Sequence, residues 1–292
     1  MGHERMERGR ECLLSFQVIT DTHVTANPKH SYNKNLEQAL EDIAVQAPNT
    51  DGIMHVGDVT HHGFKREYRE WNRIWDQFQD VLPSPFVATG NHDIGLGFWR
   101  YRLAGFLRGT GMRGAYHDHW IRGHHFIFLG SEKSLKLHCS LSGQQLDWLD
   151  AKLGEGAVAG RPVFVFLHQP LLNTVSGSYQ DQGWSGVRED RELRAVLARH
   201  PQAILFTGHT HWELESRNCC FQGKEGFPSL FNAASVAYLW SDSGKHVTGS
   251  QGFYIEVYPG RVLIRGRNFT QGEWVEKAQF VIEYESWSQE VG

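Results

Sequence analysis

The sequence predicts an α/β layered fold, a mixed sheet system with helices outside. Short apolar runs that read as buried strands alternate with segments of helical periodicity, the pattern of strands joined through helices. With 40% hydrophobic residues in 292, the chain is also long and apolar enough to bury a sizeable core.

Taken in order, the first strand is LLSFQVIT (13–20) and the second GIMHV (52–56). Between them NKNLEQALEDIAVQ (33–46) sets Leu36, Ala39, Leu40, Ile43 and Ala44 at helical spacing. KREYREWNRIWDQF (65–78) does the same with Tyr68, Trp71, Ile74, Trp75 and Phe78, an aromatic stripe read as core or interface, and leads to the strand PFVATG (85–90). Arg100, Arg102, Arg108 and Arg113 are interleaved with Phe98, Trp99, Tyr101, Leu103, Phe106 and Leu107, which reads as a packed helix with solvated arginines. Three more strands follow, HFIFLG (125–130), PVFVFL (162–167) and AILFTG (203–208). SGQQLDWLDAKL (142–153) opens on a capping serine, and VREDRELRAVLARH (187–200) stops before Pro201, both marks of helices. The last segment, GFYIEVYPGRVLIRGRN, alternates and turns at Pro259-Gly260, so it predicts a C-terminal antiparallel hairpin. No repeat, low-complexity tract or linker-like run divides the chain. A single domain is expected over 12–283, with residues 1–11 and 284–292 as flexible ends.

Composition excludes several classes. A net charge of −4 at pH 7 argues against a nucleic-acid-coating protein or a polybasic membrane partner. Mean hydropathy is −0.45, and no run approaches the ~18 apolar residues of a membrane span. The N-terminus has no long apolar stretch and no small-residue cleavage site, so no secretory signal is expected. Cys12, Cys139, Cys219 and Cys220 form no C-x-x-C pair, so zinc-ribbon and redox-motif readings fail, and reduced thiols in a cytoplasmic setting are expected. Against four cysteines stand 17 histidines. That points to a metal site of imidazole and carboxylate, although surplus surface histidines give the same count.

Five strands run into metal-capable residues: Asp21-Thr22-His23, Gly57-Asp58, Gly90-Asn91-His92-Asp93, His168, and Gly208-His209-Thr210-His211. In open α/β sheets the carboxyl ends of parallel strands gather on one side and bind ligands there. Residues i and i+2 of an extended segment point the same way, so Asp21 and His23 are expected to reach one ion together, as are His209 and His211 if their loop stays extended. The glycines before Asp58, Asn91 and His209 permit a sharp exit from each strand. Imidazole, carboxylate and amide donors without thiolate suit manganese, iron, zinc or cobalt. Seven such side chains exceed what one ion with an open position needs. Two ions sharing a carboxylate fit better, and Asp58, alone after its strand, is the natural bridge. Each motif by itself is common by chance; the weight lies in five of them at successive strand ends.

This order, D-x-H … G-D … G-N-H-[DE] … H … G-H-x-H, resembles the calcineurin-like metallophosphoesterases, with no motif member missing. The resemblance runs from about residue 13 to the last hairpin and includes HHFIFLGSE and the LSGQQLDWLDAKL helix. In overall layout, and in His168-Gln169-Pro170, it looks closest to the class III cyclic-nucleotide and glycerophosphodiester phosphodiesterases. It implies a four-layer αββα sandwich of two mixed sheets flanked by helices. It also implies one metal held by Asp21, His23 and His211, another by Asn91, His168 and His209, and Asp58 between them, with His92 facing the substrate. Two dications and two carboxylates would leave a site near +2, or about +1 with a bridging hydroxide that attacks phosphorus in line. Asn91 and His92 would contact the phosphoryl group, His92 taking charge or protonating the leaving alkoxide. Asp93 is expected to cap the following turn rather than orient His92.

Four further residues are weaker candidates for the substrate mouth. His61 and His62, just past Asp58, read first as exposed loop residues, with His62 a candidate contact. Tyr179 and Trp184, in the glycine-rich loop 176–186, either stack on a substrate group or pin the loop. The function expected is hydrolysis of a small phosphodiester, a cyclic nucleotide or glycerophosphodiester. Alternatives are a phosphomonoesterase (protein phosphatase or nucleotidase) and, from another class, a scaffold without catalysis, which should show broken motifs. A nuclease is disfavoured by the acidic chain. No nucleic-acid polymer or membrane partner is expected, and the oligomeric state is left open, a homodimer included.

Overall fold

The apolar runs form strands buried on both faces, which is why they read as continuous rather than alternating. The structure is a computed structural model and describes residues 11–155, 161–183, 186–223 and 226–284. In one sheet β1 (Leu14–Ile19), β2 (Gly52–His55) and β3 (Phe86–Val87) run parallel. In the other, β4 (His117–Ile121) pairs antiparallel with β5 (His124–Phe128), and β6 (Val163–Phe166) and β7 (Ala203–Thr207) continue parallel to β5. That sheet ends in β9 (Ser229–Asn232), parallel to β7, and the short edge strand β8 (Cys220–Phe221). β10 (Leu239–Trp240) and β11 (His246–Val247) form a separate ribbon. The chain returns to the first sheet with β12 (Gln251–Tyr258), antiparallel to β1, followed by β13 (Arg261–Asn268) and β14 (Glu273–Glu283). The expected hairpin is β12–β13, turning at Pro259-Gly260 with Gly260 at φ 79°.

Period-2 alternation sorts each strand's side chains between two cores. Phe16 and Val18 of β1, Phe126 and Phe128 of β5, Phe164 and Phe166 of β6, and Ile204 and Phe206 of β7 meet between the sheets. The intervening Ile127, Val165 and Leu205 face outward onto α5 (Gly143–Gly154) and α6 (Asp190–Leu197). On the far side of the first sheet, α1 (Ser31–Gln46), α2 (Lys65–Asp76), the single turn α3 (Asn91–Ile94) and α4 (Trp99–Thr110) cover Ile19, Ile53 and Val87. The result is the four-layer αββα sandwich. Each fully buried phenylalanine of the central layer contributes about 1.5–3 kcal/mol relative to an exposed one.

The expected strands and helices form close to their predicted bounds, with informative exceptions. Ser142 caps α5 as expected, its Oγ accepting from Gln145 N–H (3.1 Å). α6 begins three residues later than the apolar pattern suggested, because Val187 bridges to Cys139 and Arg188 N–H donates to the Cys139 carbonyl. α4 is the helix read from the interleaved arginines and aromatics, but Arg113 lies past its end, and Arg102 is not simply solvated: its guanidinium donates to the His62 carbonyl. The sequence reading also missed β4, β8 to β11 and β14. Residues 1–10 and 285–292, where the expectation of flexible ends falls, lie outside the described residues. No helix among the described residues is long and apolar enough to cross a membrane.

Candidate metal centre

β1, β2 and β3 of one sheet, and β6 and β7 of the other, point their carboxyl ends to the same side. The five motifs follow those ends. Asp21, His23, Asp58, Asn91, His168, His209 and His211 are all buried there.

Each carboxylate has one oxygen tied down and the other turned inward. Asp21 Oδ2 accepts from Thr20 Oγ1–H (2.7 Å) and His209 N–H (2.9 Å). Its Oδ1 lies 2.9 Å from His211 Nε2, 3.6 Å from His23 Nε2 and 3.8 Å from His168 Nε2. Asp58 Oδ1 accepts from His92 N–H (2.7 Å), while Oδ2 is 3.2 Å from His168 Nε2 and 3.7 Å from His23 Nε2. The imidazoles are anchored from behind. His168 Nδ1–H donates to the Val56 carbonyl (2.9 Å) and His211 Nδ1–H to the Tyr238 carbonyl (3.1 Å), which directs both Nε2 atoms at the centre. His23 and His211 bring their Nε2 atoms to 3.2 Å, and the His209 ring stands edge-on to His168 (5.2 Å). Asn91 donates Nδ2–H to the Lys136 carbonyl (3.0 Å), leaving Oδ1 to accept from Gln169 Nε2–H (3.2 Å).

The arrangement differs from the one inferred by spacing. Asp21 and His23 do converge, but not through an extended segment: their φ angles are 52° and 43°. His209 (φ 71°) and His211 (φ 59°) are left-handed too, and their rings part, His209 beside His168 and His211 beside Asp21 and His23. Asp58 is also left-handed, at φ 53°. Such a conformation costs a non-glycine residue roughly 1–2 kcal/mol and persists where the surroundings over-determine it, as at functional sites. The preceding glycines give the clearance this crowding needs. A Cβ on Gly208 would fall 2.1 Å from Thr20 Oγ1 and 2.5 Å from Asp21 Oδ2.

The donor set fits metal cations. Asp21 Oδ1 and His168 Nε2 are buried, and neither has a partner in hydrogen-bonding geometry among the described residues. Burial pushes the Asp21 and Asp58 carboxyls up, but facing imidazoles override it: His211 and His168 hold Asp21, and His168 and His92 hold Asp58, well below the usual carboxylate value. In return, although burial pulls His168 down, Asp58 and Asp21 raise it to about 9. Burial dominates at His23, lowered to about 4, and at His209, lowered to about 3. Two buried carboxylates thus retain their charge, and His23 and His209 stay neutral, which suits donors to a cation.

His92 stands edge-on to His23 (4.5 Å, 90°), and its Nδ1–H donates to the His61 carbonyl (2.7 Å), so Nε2 is the nitrogen turned away from that anchor. Burial lowers its pKa, but the Asp58 charge and the carbonyl bond outweigh this and raise it. Asp93 accepts from the N–H groups of Gly90, Val59 and Thr60 and from the Tyr68 hydroxyl, so it caps this turn, as expected. Burial and the Asp58 charge raise it to about 6.

Of the two loop histidines, the structure brings His61 rather than His62 beside the cluster. His62 turns to Glu67 (2.8 Å), which also takes the Phe64 N–H at the start of α2. His61 Nδ1 instead lies 3.4 Å from His23 Nδ1, with its ring stacked on His92 (5.4 Å, 27°). Tyr179 belongs to a loop closed on itself, its hydroxyl donating to the Thr174 carbonyl (3.3 Å) and Gln182 accepting from Gly177 N–H (2.7 Å). Trp184 lies outside the described residues. The sequence reading missed Tyr238, whose ring packs on His211 (4.3 Å) and stacks with Tyr32 (5.5 Å), and Gln169, seen only as part of His-Gln-Pro.

Two mixed sheets, with a buried carboxylate and imidazole cluster across their strand ends, define a metal-dependent hydrolase of phosphoric esters. A model of the calcineurin-like phosphoesterases matches residues 14–213, and the chain belongs to that family. It is 25% identical over 209 residues to a probable cyclic nucleotide phosphodiesterase of a Synechococcus strain, covering 70% of this chain and 75% of that protein. It is 27% identical over 202 residues to a probable glycerophosphodiester phosphodiesterase of Arcobacter nitrofigilis, covering 66% and 70%. The fold is shared with a dimetal phosphatase from Danio rerio at a TM-score of 0.64 and 15% identity, over 94% of this chain and 100% of that one.

Proposed function

We propose that this chain hydrolyses a small phosphodiester, a cyclic nucleotide or a glycerophosphodiester, at a two-metal centre. Asp21, His23 and His211 hold one ion, Asn91, His168 and His209 hold the other, and Asp58 is shared. The observation that carries this reading is the inward aim of Asp21 Oδ1 and Asp58 Oδ2, each within 3.8 Å of His23 Nε2 and His168 Nε2, with His211 Nε2 2.9 Å from Asp21 Oδ1 and the other oxygen of each carboxylate anchored. The names of the two curated relatives support the diester class.

Manganese, iron, zinc or cobalt would supply Lewis acidity and lower the pKa of water at the site. The protein's part is to keep its donors deprotonated and in place. Backbone N–H of His92 fixes Asp58, and the His61 carbonyl fixes the His92 ring, so that Nε2 is offered to a phosphoryl oxygen or to the leaving alkoxide. The same reading treats 12–283 as one catalytic unit, since β1 is paired between β2 and β12. It also sets the protein in a reducing, cytoplasmic environment, supported by four cysteines free of disulfides.

Hydrolysis of bis-p-nitrophenyl phosphate and p-nitrophenyl phosphate by the manganese-loaded protein is the test. A centre near +1 favours the singly charged diester, so kcat/KM is expected to be higher for it. A clear monoester preference overturns the diester reading in favour of a phosphomonoesterase, and no hydrolysis of either, with metals bound, favours the scaffold.

A further inference from the structure

Beneath the centre lies a buried histidine that is not one of the converging donors. His55 ends β2, is fully buried, and stands edge-on to the Trp71 ring (5.2 Å, 90°). Its ring nitrogens have different partners. Gly57 N–H donates to Nδ1 (3.2 Å), which makes Nδ1 the acceptor and puts the ring proton on Nε2. Nε2 faces Thr22 Oγ1 at 3.0 Å, and Thr22 Oγ1–H donates to the Val59 carbonyl (2.9 Å). With the hydroxyl proton committed to Val59, Nε2–H is the donor to Thr22. A directed chain therefore runs from Gly57 N–H through the imidazole and the Thr22 hydroxyl to Val59.

The chain joins two loops that hold residues in left-handed conformations. Thr22 lies between Asp21 and His23, both left-handed, and Gly57 (φ 101°) precedes left-handed Asp58. Main-chain bonds from Asp21 N–H to the Gly57 carbonyl and from His23 N–H to the Asp58 carbonyl (both 3.0 Å) hold the loops together. The His55 chain adds a side-chain link between them. Filling the space beside Trp71 does not require an imidazole, and burying one is costly unless both nitrogens are satisfied. Here both are, and both bonds end on segments that carry members of the converging set.

We infer that His55 is a positioning residue, which through Gly57 and Thr22 sets the approach of Asp21 and His23 to Asp58 and so the metal affinity of the centre. The inference rests on the two-metal reading above. Its consequence is that this centre has a support built from β2 itself, in addition to the anchors behind His168 and His211.

The test compares wild type, His55→Phe, Thr22→Val, the double variant and His55→Gln. Manganese affinity is measured by titration with electron paramagnetic resonance, alongside the absorption spectrum of the cobalt-loaded protein, kcat and KM on bis-p-nitrophenyl phosphate, and thermal unfolding of the metal-free forms. His55→Phe keeps a ring against Trp71 and removes both bonds. It is expected to weaken manganese binding about 10- to 100-fold, the range for residues that orient metal ligands, and to lower kcat more than it changes KM. Thr22→Val breaks the same chain and carries the test should His55→Phe fail to fold. Because the chain acts as a unit, the double variant should lose no more than the worse single one. The amide of His55→Gln, with one acceptor and one donor, should recover part of the affinity. Variants that unfold at lower temperature yet bind manganese as tightly as wild type, with an unchanged cobalt spectrum, overturn the inference and make His55 a structural residue. Wild-type protein that binds no manganese or cobalt overturns instead the two-metal reading.

Discussion

Gly90→Ala converts a close approach into a measurement of how strictly the centre depends on Asp58. Gly90 has φ −108° and ψ 173°, which any residue adopts, so the substitution acts through contact alone. The added Cβ would fall 2.1 Å from both the backbone N and the Oδ1 of Asp58, and 2.7 Å from its Cγ. Ordinary contacts begin near 3.4 Å, so roughly 1 Å of movement is needed. Asp58 Oδ1 already holds the His92 N–H at 2.7 Å, so displacing it disturbs both the shared carboxylate and the proposed phosphoryl contact. Overpacking of this kind costs about 1–3 kcal/mol, and a 1 Å misplacement at a reacting centre about a hundredfold in rate. The assay is kcat/KM on bis-p-nitrophenyl phosphate, with metal content and thermal unfolding on the same sample. Gly105→Ala is the control: its Cβ enters open space within α4, so activity should hold and stability rise by up to about 1 kcal/mol. Wild-type turnover and full metal content in Gly90→Ala would refute the reasoning, because Asp58 would then tolerate displacement.

Asp58→Ala removes the one donor proposed to be shared, and is expected to lower occupancy of both metal positions by elemental analysis, with activity at background; two tightly held ions would disprove the sharing. His92→Ala keeps the backbone N–H that fixes Asp58, so both metals should remain while kcat falls on the order of a hundredfold or more and KM changes little. Loss of one metal equivalent in that variant would place His92 among the ligands. Far from the centre, Arg267 pairs with Asp42 at 2.6 and 3.0 Å, tying β13 to α1, and Asp42 also accepts from Tyr254. Arg267→Ala leaves a largely buried carboxylate unpaired and should cost about 3–5 kcal/mol in denaturant unfolding, with turnover per folded molecule unchanged. A cost below 1 kcal/mol would show that water reaches Asp42 freely.

The sequence made the strands legible because they are buried on both faces, and the motifs because each follows such a strand. What it hid was conformation and partnership. Asp21, His23, His209 and His211 do gather at the strand ends, but their left-handed backbones go with contacts between loops far apart in sequence, such as His209 N–H with Asp21. The choice between His61 and His62 turns on Glu67, which claims His62 to begin α2, and no local pattern reveals which neighbour will be claimed. Edge strands were missed for a different reason. β14 has one neighbour and a mostly exposed, charge-bearing surface, and β4 is rich in histidine, so neither shows the apolar run that marked the central strands.

The pairing of β1 orders the making of this protein in time. All seven converging residues lie at or before His211, yet β1, which delivers the first two, is flanked on one side by β12, with Leu14 opposite Val257. During synthesis the strand that leads into Asp21 and His23 waits, with one edge open, until β12 has emerged. Contacts so distant in sequence make for slow folding, and an unfilled strand edge invites pairing with other chains. The nascent chain therefore holds every donor of the centre well before it has the strand that closes the sheet beside the first of them, and the centre assembles late relative to the synthesis of its donors.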